Sequence, residues 1–142
     1  MAGSKTNYLA KALTDHWLGN TAYTAPVTLY IGLATAAANA EAGTFTEVPT
    51  ATWTNYARVA KTNNTTNFAN TALADPYSKT NANLVDFGTV TATGSVVVTH
   101  AFLADALTGG NILMWADLTS SKTISNGDTV SFAIGALVFT ED

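Results

Sequence analysis

The sequence predicts an all-β fold, an antiparallel β-sandwich or barrel whose strand order stays open, preceded by one short N-terminal α-helix. Three observations carry that prediction. Short apolar segments rich in Val, Ile, Thr and aromatic residues recur about every ten residues from Leu84 onward. Turn signals separate them, notably Thr93-Gly94, Thr108-Gly109-Gly110-Asn111 and Ser125-Asn126-Gly127-Asp128, and the Asn-Gly pair tolerates the positive φ angles of a tight reversal. Helical periodicity is confined to one stretch near the N-terminus.

That stretch comes first. Leu9, Leu13 and Trp17 stand four apart with Tyr8, Ala12 and His16 alongside, which predicts a helix from about Thr6 to Leu18. Ser4 or Thr6 can cap its start, and Gly19 stands where a left-handed C-terminal cap is wanted. Its apolar stripe packs either on the domain's own sheets or on a neighbouring subunit. The chain divides accordingly into a helical arm, residues 1–20, and a single β-sandwich domain, residues 21–142.

After Pro26, the segment Val27 to Ala34 has the alternating β-branched and aromatic content of a buried strand. The Ala-rich run from Thr35 leads into Gly43, Thr44 and Phe45 and then Pro49, which reads as a loop with a short edge strand. Trp53, Tyr56, Ala57, Val59 and Ala60 form the next expected strand. Asn63 to Ala82, dominated by Asn, Thr and Ala, reads as a long loop containing Pro76. Further strands are expected at Leu84 to Phe87, Ser95 to Leu103, Ile112 to Leu118, Asp128 to Phe132 and Leu137 to Thr140.

Composition narrows the function classes. The 142 residues suit one domain around one core. Charged residues make up 11% of the chain, against roughly 25% in ordinary soluble domains, and Ala, Thr and Asn fill the deficit. Interspersed ions normally keep small domains apart, so a neutral surface of this kind favours life inside an assembly. A net charge of −4, with six basic residues scattered from Lys5 to Lys122, argues against nucleic-acid binding, which needs clustered Lys and Arg. Cysteine is absent, so packing alone holds the fold and no thiolate metal site exists. Without a signal-like apolar segment or a membrane-length apolar run, synthesis in a cytoplasm and no membrane insertion are expected. The sequons at Asn63-Asn64-Thr65-Thr66 then read as chance products of a Thr/Asn-rich loop.

No catalytic, cofactor or metal site is predicted. Only His16 and His100 are neutral-pH bases, and both read as packing or hydrogen-bonding residues. Ser95, His100 and Asp105 would lie along one strand and its end, where side chains diverge, so they make no triad. The acidic residues fall mostly at turns, as at Asp75, Asp105 and Asp128, rather than in the facing pairs that glycosidases use. Asp15 and His16 diverge on the helix and make no metal pair. Trp115 reads as core. Trp53, Tyr56 and Tyr77 flank loops, where they serve either as partly buried subunit anchors or as a stacking platform for sugar rings.

Five blocks in order make the chain resemble a family of small tailed-bacteriophage virion proteins, variously called tail fibre, head fibre or capsid decoration proteins. They are Gly19 to Leu33, with its Asn-Thr-Ala-Tyr-x-x-Pro passage; Gly-Thr-x-x-Glu-Val, Gly43 to Val48; Tyr-Ala-Arg-Val, Tyr56 to Val59; Gly-Gly-Asn-x-Leu, Gly109 to Leu113; and Gly-Asp-Thr-Val-Ser-Phe, Gly127 to Phe132. Asn63 to Ala82 departs from the family's pattern, as does the strand carrying Thr99-His100-Ala101-Phe102.

The resemblance implies a non-enzymatic jelly-roll cement protein on the outer capsid surface, a homotrimer that clamps the major capsid protein and so stabilises the assembled shell. The alternative is a tail or head fibre that binds a host-surface receptor or glycan. The candidate interface residues are Tyr8, Leu9, Leu13, Trp17, Tyr23, Trp53, Tyr56 and Tyr77, and the fibre alternative would turn Trp53, Tyr56 or Tyr77 outward.

Overall fold

The N-terminal residues are woven into the β-structure rather than lying beside it. A computed structural model describes residues 2–70 and 77–141. Strand β1 (Ala2–Lys5) precedes helix α1 (Asn7–Leu18), and ten strands follow: β2 (Thr28–Asn39), β3 (Thr44–Glu47), β4 (Val59–Thr62), β5 (Phe68–Asn70), β6 (Tyr77–Asn81), β7 (Val85–Thr89), β8 (Val96–Ala104), β9 (Ile112–Ile124), β10 (Thr129–Phe132) and β11 (Val138–Glu141). About half of the chain is strand. The fold is mostly β, with antiparallel sheets and one short N-terminal helix, as expected.

The jelly-roll refinement does not appear in the strand order. One nine-stranded path runs β3-β2-β8-β9-β1-β11-β6-β5, with β4 also on β2, and β7 and β10 form a separate pair. The physical reason is β1. Its Ser4 and Lys5 pair antiparallel with Trp115 and Met114 of β9, while Ala2 and Gly3 pair in parallel with Val138 and Phe139 of β11. This one strand joins two groups of strands that would otherwise be separate sheets.

The main core lies between the β2–β8 face and the β7–β10 pair. Leu29, Ile31 and Leu33 alternate along β2 and meet Val98 and Leu103 of β8; Val85, Phe87, Val130 and Phe132 come from the opposite pair. Phe68 and Phe139 close one end, edge to face at 5.8 Å. The other face of the large sheet is also covered, by Phe102 and Ala104 of β8 with Phe45, Ile112 and Trp115. Gly32 is required there, because a Cβ would sit 2.2 Å from the Phe102 ring.

Three strand expectations need correction. Trp53, Tyr56 and Ala57 are not in a strand. Trp53 makes an isolated bridge to Ala92, and the regular strand begins only at Val59. The Asn63–Ala82 loop contains β5 and β6, held by Asn81, whose side chain donates to the Asn83 and Ala133 carbonyls and accepts from Leu137 N–H. Asp75 and Pro76 of that loop lie outside the described residues. The Ala-rich run is not a loop but continues β2 to Asn39, where small side chains admit the β3 edge.

Candidate host-facing and assembly surface

Helix α1 and the turn after it present the candidate side chains, and Thr6 fixes where they stand. Its buried side chain caps the helix, accepting from Leu9 N–H at 3.5 Å and donating to the Ile112 carbonyl at 2.6 Å, while its own N–H donates to the Leu113 carbonyl. Residues 2–6, at the start of the segment expected as an arm, are therefore hydrogen-bonded to β9 and β11. Leu9 packs against the core and Leu13 is half-buried. Tyr8, Trp17 and Leu18 stay outside, 45%, 70% and 85% exposed.

The helix ends differently from expectation. Gly19 is right-handed at φ −107, and Asn20 takes the left-handed conformation at φ +54. The Asp15 carbonyl receives both Gly19 N–H and Thr21 N–H, so the reversal falls one residue later, on a residue type that tolerates positive φ. The chain then folds back along the helix, where Tyr23 N–H donates to His16 Nδ1 at 3.2 Å. His16 is exposed and serves this turn. Burial, with smaller contributions from Tyr8 and Asp105 nearby, raises the pKa of the Tyr23 phenol.

Between helix and turn lies a shallow cleft of about 230 Å³, walled by Tyr8 and Tyr23, with Lys11, Asp15 and Thr21 between them. Lys11 Nζ and the Asp15 carboxylate form an ion pair one turn apart on the solvent side. Sequence analysis named both tyrosines but could not bring them together, because the Asn20 reversal does that. The i, i+4 charge spacing was a readable signal for Lys11 and Asp15.

Trp53 and Tyr56 are not surface aromatics. Trp53 is fully buried and Tyr56 nearly so, in a stack with Phe87 whose ring lies 6.2 Å from that of Tyr56 and almost parallel to it. The Tyr56 hydroxyl accepts from Leu33 N–H at 2.8 Å and donates to Glu47 Oε1 at 2.9 Å. Arg58 lies beside it, pairing bidentate with Glu47 at 2.8 Å through Nε and Nη2, donating from Nη1 to the Ala106 and Gly109 carbonyls, and covering the Phe102 ring at 5.0 Å. Sequence analysis missed the pairing of Glu47 with Arg58. The signal was present, because four of the five blocks supply this network: Leu33, Glu47, Tyr56 with Arg58, and Gly109. Tyr77 is half-buried, its hydroxyl donating to Asn70 Oδ1 at 3.1 Å.

Groups that catalysis would need to share lie apart. Ser95 faces Ser125, Asp105 accepts from Asn111, and His100 pairs with Asp117 at 2.8 Å and Thr99 at 2.6 Å. Trp115 is half-buried in the second cluster. Among the described residues no three His, Asp or Glu side chains converge on a metal position, and no helix is long and apolar enough to cross a membrane.

A family model described as podophage GP4 fiber I protein gp80 matches residues 4–140, nearly the whole chain. The chain belongs to that family. It is therefore a structural, non-enzymatic component of a bacteriophage virion, a fibre protein. The gp80 match spans Asn63 to Ala82 as well, so the segment that departed from the expected pattern lies within the matched region. A fibre family favours the fibre reading over the capsid clamp that the sequence put first. No curated protein matches the chain.

Proposed function

We propose that this chain is a self-associating fibre subunit that meets the host surface and binds a receptor or glycan there. The observation that carries the reading is how its aromatic residues divide. Those the core needs, Trp53, Tyr56, Phe68 and Phe102, are buried, whereas Tyr8 and Trp17 on α1 remain outside a fold that is complete without them. Contiguous exposed apolar surface marks interaction sites, and Trp17 and Leu18 stand exposed side by side at the end of α1.

Self-association as a homotrimer would cover Trp17 and Leu18. Fibres repeat one subunit about an axis, and a closed symmetric contact uses the same patch on every copy. Light scattering of the purified chain is expected to give a trimer that Trp17→Glu dissociates. A monomeric parent chain would overturn this part.

The host-facing part is tested by competition. Purified chain added to susceptible cells is expected to slow adsorption of the phage in a dose-dependent way. Unchanged adsorption at saturating chain would overturn it.

A further inference from the structure

We infer that the cleft between α1 and the 20–23 turn binds a single neutral sugar ring, such as the terminal residue of a surface glycan; the inference rests on the host-facing reading above. A pyranose offers two handles, an apolar C–H face that packs on an aromatic ring and a rim of hydroxyls that both donate and accept. The cleft supplies both counterparts. Tyr8 and Tyr23 provide the aromatic walls, and Lys11 and Asp15 place a cationic donor beside an anionic acceptor between them.

The spacing makes this one surface. Tyr8, Lys11 and Asp15 stand three and four residues apart, so they share a helix face, and Tyr23 closes the opposite side. Both charged side chains reach solvent, at 76% and 39% exposure, so a hydroxyl can replace water on either. Their charges cancel, which suits a neutral sugar rather than an acidic one. The backbone that carries the walls is held in advance, at Tyr8 by the Thr6 cap on β9 and at Tyr23 by its N–H bond to His16, so only the side chains remain to be ordered on binding. At about 230 Å³ the cleft falls below the roughly 300–1,000 Å³ of drug-sized sites and fits one ring.

The larger cavities lack this chemistry. One of about 400 Å³ beside β9 and β10 joins an apolar floor of Leu33, Val98, Val130 and Phe132 to Thr119, Ser120, Lys122 and Ser131, and its lining offers no carboxylate acceptor and a single aromatic ring. Another, of about 390 Å³, adjoins Glu47 and Arg58, whose hydrogen bonds are already directed to each other and to loop carbonyls.

The test is an amide-resolved NMR titration of the purified chain with the methyl glycosides of glucose, galactose, mannose and N-acetylglucosamine. One of them is expected to shift amides between Tyr8 and Tyr23, with Tyr8→Ala and Asp15→Asn each weakening binding roughly tenfold, the loss of one good contact. The spectrum elsewhere reports that each variant folds. Shifts confined to other regions, variants that bind like the parent, or no shift up to about 10 mM sugar would each overturn the cleft. Adsorption competition separates the two readings. A parent chain that blocks adsorption while no sugar perturbs the cleft leaves the host-facing reading standing and removes this site; a parent chain that binds sugar here but does not block adsorption removes the host-facing reading alone.

Discussion

Glu47→Gln should destabilise the fold through Arg58, by an amount the structure bounds. The Arg58 side chain is 5% exposed and Glu47 is its counter-ion through two 2.8 Å bonds. Removing one partner of a fully buried pair costs about 3–5 kcal/mol, because the other charge is left uncompensated. Two features reduce that here. Arg58 keeps the Ala106 and Gly109 carbonyls and the Phe102 ring, and Glu47 is 32% exposed, so water screens part of its charge. The expected cost is about 2–3 kcal/mol. In urea, with a slope near 2 kcal/mol per molar, the unfolding midpoint should fall by about 1–1.5 M at unchanged slope. Arg58→Met combined with Glu47→Gln should cost less than the sum of the single changes by more than about 1 kcal/mol. A midpoint shift below about 0.25 M, the size of an ordinary surface change, would show that the pair does not hold β3 to the 106–109 loop.

Three further outcomes follow from named contacts. Gly32→Ala should cost about 1–3 kcal/mol or more by overpacking against Phe102, and Phe102→Leu should recover part of it; urea midpoints decide, and an unchanged midpoint for Gly32→Ala contradicts the close approach. Burial, reinforced by the Glu47 charge, raises the Tyr56 phenol well above its ordinary value near 10. The unfolded chain therefore ionises first, and the Tyr56 contribution is complete below about pH 10 and is lost as pH rises beyond it. Tyr56→Phe should accordingly flatten the fall in stability between about pH 10 and about pH 12, and an equal fall in both chains would refute the assignment. Deleting residues 1–6 removes β1 and the Thr6 bonds to β9; at about 3 kcal/mol for these hydrogen bonds, melting should drop by roughly 10 °C. An unchanged melting temperature would make the segment a dispensable arm.

What was legible in the sequence was local. The four-residue spacing of Leu9, Leu13 and Trp17 gave the helix, and Gly127, at φ +88 between β9 and β10, does what Asn-Gly implied. Elements that owe their existence to distant partners were hidden. Ala2–Lys5 carries no alternating pattern, because β1 is fixed by backbone pairing to strands more than a hundred residues away. In β5 and β6 the information resides in one buried Asn81 rather than in an apolar run. The strand expected to end at Leu118 runs on through the polar residues Thr119 to Lys122, which form the exposed part of β9. At the candidate site, each aromatic was visible but not its direction. Trp53 and Tyr56 turn inward because Phe87 lies against them, and Tyr8 meets Tyr23 only through the left-handed Asn20.

The central claim is that this chain is a fibre component rather than part of the shell lattice. Its copy number per purified virion, relative to the major shell protein, tests that most directly, by quantitative mass spectrometry with labelled peptides of both proteins as standards. A few dozen copies or fewer is the predicted result. A ratio approaching one to one with the shell protein would contradict it and place the chain on the capsid surface.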